Sequence, residues 1–310
     1  MLKHRIGTIA VLSFFLYMLF SPKTVFSGAS QGLLLWFQIV LPTLLPYMIL
    51  INIMIHTPAI HWICHITSPF LCPFLGTSYY GTFAVLTGFL CGYPMGAKTT
   101  ADLLNTHKIS KPEASYLLSF CNNTSPAFIL SYIVMQNLKD SSLGIPFLFI
   151  LIIAPFITGF LFRIFYYHQP METVPIDFSS TYSSGNLPVN FFDQCIMNAF
   201  EAITKIGGYM IMFSILIKLI SGLLPDHPGT LIICSSLEIS TGIKLIASSD
   251  LCSKYQIILC AILASFGGWC CIAQTYSMIH ESGLPIIPYI AEKLATALVT
   301  SLLISAYIFI

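Results

Sequence analysis

Two stretches of this chain bring together residue types that could hold a charged solute inside a membrane. They are Gly92-Tyr93-Pro94-Met95-Gly96-Ala97-Lys98 and Ser119-Phe120-Cys121-Asn122-Asn123-Thr124-Ser125-Pro126. Each sets helix breakers beside an amine or two carboxamides, between strongly apolar runs. Interrupted backbone in hydrocarbon leaves N–H and C=O groups without partners, so it persists only where it is buried in protein or lines a water-filled cavity. Lys98 follows the breakers Gly92, Pro94 and Gly96, where a half-helix begins, so its amine and several free N–H groups converge as at an anion site. The other reading is that Lys98 snorkels to an interface or neutralises Asp102, four residues on. Asn122, Asn123, Thr124 and Ser125 offer donors and acceptors without charge, which suits a carboxylate or heteroaromatic solute, and Pro126 frees a carbonyl upstream. Helix packing also uses small polar residues, but four in a row ahead of a proline exceed that need.

The second half of the chain repeats the pattern. Gly242 and Lys244 match Gly96 and Lys98, and Ser265-Phe266 match Ser119-Phe120, all at one offset of 146 residues (98 to 244). Glu238 lies just before Gly242-x-Lys244, so it is either a structural ion-pair partner or a carboxylate that titrates during transport. Gly267, Gly268 and Trp269 stand where the first half has its asparagines, with Gln274 following as a further lining residue. Glu201 and Lys205 have i, i+4 spacing and read as a structural pair. Interrupted hydrophobic segments in corresponding places of two halves are the signature of a transporter with its site at the repeat interface.

The elements that must position these residues are membrane helices. Charged residues make up 8% of the 310 residues and the mean hydropathy is +0.84, against about 25% charged in an ordinary soluble domain. The fold expected is all-α: a polytopic transmembrane protein of two internally repeated halves, read as inverted, containing broken or re-entrant half-helices. Apolar runs fall at 6 to 20, 33 to 56, 79 to 91, 113 to 137, 144 to 167, 195 to 223, 229 to 237, 255 to 279 and 285 to 310. Runs 79 to 91 and 229 to 237 fall short of the roughly 20 residues a full span needs, so they are half-helices. Segment 58 to 76, with Pro58, Pro69 and Pro73, is a kinked hairpin or a lipid-facing piece. A polar linker at 168 to 192 separates an N-terminal half, 1 to 167, carrying the first motif at 92 to 130, from a C-terminal half, 193 to 310, carrying the second at 237 to 275. The first twenty residues are either a first membrane helix or a cleaved signal, the helix being favoured.

Thirteen Lys and Arg face twelve Asp and Glu, so the charge balance does not suggest nucleic acid as a partner. The ten cysteines form no CxxC pair and show no zinc spacing, so they read as reduced, small hydrophobes, with no metal and no cofactor expected. No P-loop, Gly-x-Ser-x-Gly elbow or zinc-protease helix occurs, and an enzyme is not expected.

The residues Gly92 to Lys98, Glu113, and Phe120 to Pro126 with Phe128-Ile129 resemble those of the YlbJ/SpoVV group of sporulation integral membrane proteins, within the nucleoside-recognition "gate" domain family. The likeness is close over 92 to 130 and extends to Leu41-Pro42, Leu45-Pro46 and Leu237 to Gly242, with departures at Cys121, Thr124 and Gly267-Gly268-Trp269. What the resemblance implies is a protein of the outer forespore membrane of an endospore-forming bacterium, moving dipicolinic acid from mother cell to forespore. On that expectation Lys98, Lys244 and the asparagines would meet the two carboxylates of a planar dianion. Partners would then be a small anionic solute and membrane lipid, with a homo-oligomer or other sporulation membrane proteins as further candidates. The alternatives are a non-transporting scaffold and a carrier for another solute such as a nucleoside.

Overall fold

The computed structural model describes residues 2–166, 190–224 and 229–309, and among them there are helices and no strand. Helix α1 (Leu2–Phe20) precedes α2 (Pro22–Leu35), which runs through a π turn at Trp36–Val40 into α3 (Leu41–Ile55). The wider turn sits directly ahead of Pro42 and Pro46, whose rings exclude the ordinary i to i−4 bond. Helix α4 (Ala59–Leu75) is one helix despite Pro69 and Pro73, so the hairpin reading of 58 to 76 does not hold. Gly76 closes it in the left-handed conformation, φ 71°.

Next come α5 (Gly81–Cys91), α6 (Met95–Asn105), α7 (Lys111–Cys121), a π-wound helix (Phe128–Leu138) and α8 (Gly144–Tyr166). The C-terminal part holds α9 (Phe191–Leu223), α10 (Gly229–Leu237), α11 (Ile239–Ala247), α12 (Ser253–Phe266), α13 (Gly268–Ile279) and α14 (Ile286–Phe309). Apolar runs 113 to 137 and 255 to 279 are each two helices joined by a break, at the Asn122 to Pro126 and Gly267-Gly268 positions where breakers were expected. Ser110 starts α7, its hydroxyl accepting from Glu113 N at 3.4 Å, with Pro112 in the first turn where no N–H is needed. Most of the expected linker, 168 to 192, lies outside the described residues; its last two, Phe191 and Phe192, open α9.

Among the described residues, five helical stretches are long and apolar enough to cross a membrane: Pro22–Ile55, Ser141–Tyr166, Phe191–Leu223, Ser253–Ser282 and Ile286–Phe309. Phe20, Ile145, Phe165 and Ile287 expose large apolar side chains outward, a surface that hydrocarbon suits and water does not. The chain is an all-α polytopic membrane protein. One buried core gathers α3 to α7 with α9, α13 and α14; a second gathers the π-wound helix, α8, α11 and α12.

Element order runs in parallel through the two parts. Helix α5, a break, α6, α7, a break, the π-wound helix and α8 have counterparts in α10, a break, α11, α12, a break, α13 and α14. The contacts cross over: α6 touches α13 while α11 touches the π-wound helix, α7 packs on α8 as α12 does on α14, and α8 packs on α14.

Candidate anion site at the helix breaks

Each break is built by residues that cannot continue a helix. Gly92 ends α5 at φ 90°, ψ −174°, a region open to glycine, and Tyr93 and Pro94 turn the chain into α6. Asn122 leaves α7 in an extended conformation, φ −98°, ψ 92°, and Pro126 restarts the helix three residues after Asn123. In the C-terminal part, Glu238 is extended at φ −141°, ψ 128°, and Gly267 and Gly268 turn α12 into α13 at φ 86° and 81°. Three of these breaks meet. The Tyr93 hydroxyl donates to Ser265 O at 2.7 Å, the Thr124 hydroxyl donates to Ala264 O at 2.5 Å, and a Cβ on Gly267 would lie 2.9 Å from the Tyr93 ring.

Asn122 is the hub. Its Oδ1 accepts from Ala97 N at 3.3 Å, so the first turn of α6 is met by a side chain from the α7 break. Its Nδ2 donates to Thr275 Oγ1 at 3.0 Å and to Tyr289 Oη at 2.8 Å, bringing in α13 and α14. Asn123 donates to Phe120 O at 2.6 Å, and both asparagines are buried.

Into this cluster α14 sends a lysine. Lys293 is 1% exposed, donates to Asn122 O at 3.0 Å and to Asn123 Oδ1 at 3.2 Å, and stands 5.0 Å from the centroid of the Tyr93 ring. Asn122 O is the carbonyl four residues ahead of Pro126, which has no N–H to offer it. The neighbouring carboxylate, Glu292, takes the Tyr166 hydroxyl instead. Among the described residues the ion pairs are Lys98–Asp102 and Lys205–Glu201, so Lys293 has no carboxylate partner there. Two dipoles and an aromatic face meet this buried amine, and a carboxylate arriving beside it would favour its charged form. An unpaired charge at such depth costs several kcal/mol, about what an arriving anion could restore.

The structure separates the residues expected to act together. Asn122, Asn123 and Thr124 join the cluster, while the Ser125 hydroxyl accepts from Phe128 N at 3.3 Å and caps the next helix. Lys98 turns instead to α3 and its own helix, bonding Asp102 Oδ2 at 2.6 Å and Asn52 Oδ1 at 3.2 Å, the pairing weighed against the anion site. Glu238 does not pair with Lys244. Its carboxylate caps α11, accepting from Ser240 N at 2.9 Å and Thr241 N at 2.7 Å, where a helix start favours negative charge. Lys244 faces an open cavity, six residues further along α11. Gly96 and Gly242 lie inside α6 and α11 rather than at the breaks, each pressed on a neighbouring carbonyl, Cys121 O and Ser235 O. Trp269 is 43% exposed and stacks edge-on to Phe266, whereas Gln274 is buried and donates to Cys270 Sγ at 3.3 Å. Glu201 and Lys205 pair at 2.7 Å on an exposed face of α9.

Sequence reasoning missed Lys293, Tyr289 and Thr275. The signal was present: Glu292-Lys293 is a charged pair in the interior of the apolar run 285 to 310, and ionisable residues inside a span are functional candidates by default.

Along 94% of its length the chain aligns, at 24% identity over 326 residues, with the sporulation integral membrane protein YlbJ of Bacillus subtilis (strain 168), covering 80% of that protein. The chain is YlbJ-like. No family model and no solved structure matches it.

Proposed function

We propose that this chain is a sporulation membrane carrier for a small organic anion, with dipicolinate as the solute, moving it from mother cell to forespore across the outer forespore membrane. The observation that carries the reading is Lys293: a buried amine held by Asn122 and Asn123 where three helix breaks meet, with no ion-pair partner among the described residues. A planar dianion brings the missing charge, and Tyr289, Thr275 and the asparagine amides bring hydrogen-bonding groups to the same place. The parallel order of broken helices, with α6 on α13 and α11 on the π-wound helix, supports two repeats that rock about this cluster. The YlbJ name supports the sporulation setting.

The test in the cell is dipicolinate content in mother-cell and forespore fractions of a sporulating strain lacking this protein, with total synthesis measured in the same samples. Normal synthesis with an empty forespore is expected. Unchanged forespore dipicolinate would remove the reading and leave a scaffold or a carrier of another solute.

A further inference from the structure

Apart from the buried cluster, an open cavity of about 1050 Å³ lies between α2, α9, the π-wound helix and α11. Its walls are polar stripes on apolar helices. Helix α11 contributes Thr241, Lys244, Leu245 and Ser248, spaced i, i+3, i+4 and i+7 and therefore one face. Ser27, Gln31 and Leu34 of α2 and Gln38 of the π turn form the facing stripe, and α9 adds Lys218 and Ser221. Two lysines line the cavity, no Asp or Glu does, and neither lysine has an ion-pair partner among the described residues. The face of α11 runs from exposed Ser248 at one end to Thr241 at the other, roughly 10 Å at 1.5 Å per residue. Thr241 is 7% exposed, and its hydroxyl oxygen is buried with no hydrogen-bond partner. An unpartnered hydroxyl at the inner end of a cationic, acid-free cavity is a place where a carboxylate oxygen could accept a bond.

We infer that this cavity is an anion-collecting vestibule: Lys218 and Lys244 draw small soluble carboxylates in from the aqueous side, and Thr241 receives them at the inner end. The inference rests on the carrier reading for its purpose, but its charge selectivity is a property of the cavity itself. A cleft lined by one sign of charge raises the local concentration of its counter-ion by tenfold or more at low salt. The cavity greatly exceeds a single planar dianion, so it collects and passes on rather than encloses.

The test uses the full-length protein in detergent micelles with exposed Cys252 changed to serine. Single cysteines are placed by Ser248→Cys at the mouth and Thr241→Cys at the floor. Each is labelled with anionic sulfonatoethyl methanethiosulfonate or cationic trimethylammonioethyl methanethiosulfonate, and the label on the parent lacking the new thiol is subtracted. The anionic reagent is expected to react roughly tenfold faster relative to its rate with a free thiol, and K218Q with K244Q is expected to bring the two reagents to parity. Added dipicolinate is expected to slow modification at both positions. Equal reagent preference, or preference for the cation, overturns the inference, as does protection by phosphatidylglycerol in the micelle but not by dipicolinate, which would make the cavity a lipid site. Where Thr241→Cys fails to fold, Ser248→Cys carries the test alone. The reagent ratio needs no transport, so it can fail while the carrier reading stands, and the reverse.

Discussion

Changing Lys293 to methionine is expected to weaken dipicolinate binding by the purified protein roughly a hundredfold while moving its melting temperature by no more than a few degrees. The two parts have different causes. Removing one member of a buried, hydrogen-bonded charge pair costs about 2–5 kcal/mol of binding, and a hundredfold is about 2.7 kcal/mol. In the empty protein the same change removes a buried amine without a counter-charge, and with it a desolvation cost of up to several kcal/mol. Against that, Asn122 O and Asn123 Oδ1 lose their donor, a loss of about 1–3 kcal/mol. These terms offset, so stability holds while affinity falls. A structural lysine would behave the other way, with the folded state weakened and binding by the surviving protein little changed. Titration with dipicolinate beside a thermal melt of the same samples separates the two.

Gly88→Ala is expected to destabilise the protein by about 3 kcal/mol or more, the upper end of what overpacking produces. Helix α5 crosses the end of α7 here, and a Cβ on Gly88 would sit 1.8 Å from Cys121 O and 3.1 Å from the Cα of Gly96. Both neighbours are backbone, so no side chain can rotate away; α5, α6 and the α7 break would have to part. The comparison is Gly208→Ala on α9, where a Cβ meets nothing within 4 Å. There the exchange of glycine for alanine inside a helix is expected to be neutral or to stabilise by up to about 1 kcal/mol. Thermal melts of both variants in detergent check the pair. Equal behaviour would mean that the glycine crossing does not hold the first break together.

The same crossing shows which parts of this architecture can be read from sequence. Helix breaks are local chemistry: Gly92, Pro94, Pro126 and the Gly267-Gly268 pair interrupt helices because of their own backbone properties, and the structure breaks at or beside each of them. Short helices were legible for the same reason, with α10 at Gly229–Leu237 coinciding with the apolar run 229 to 237 and α5 at Gly81–Cys91 ending where its run does. What a side chain faces is not local. Lys98 and Asp102 sit one turn apart on α6, so their pairing competes with any role for Lys98 in the break, and Asn52 of α3 completes it. Glu238 is two and three residues from the amides it caps, nearer than Lys244, and the cap is the bond that forms. Lys293 comes from 171 residues beyond Asn122 and carries no motif, so only its charge within an apolar run marks it.

The central claim is that this chain itself moves a small anion, and uptake of labelled dipicolinate into sealed liposomes containing only the purified protein tests it most directly. The account predicts uptake that saturates with dipicolinate, is competed by unlabelled dipicolinate and falls to the level of empty liposomes when Lys293→Met replaces the wild-type chain. Folded protein in the liposomes with uptake no greater than in empty ones would contradict it.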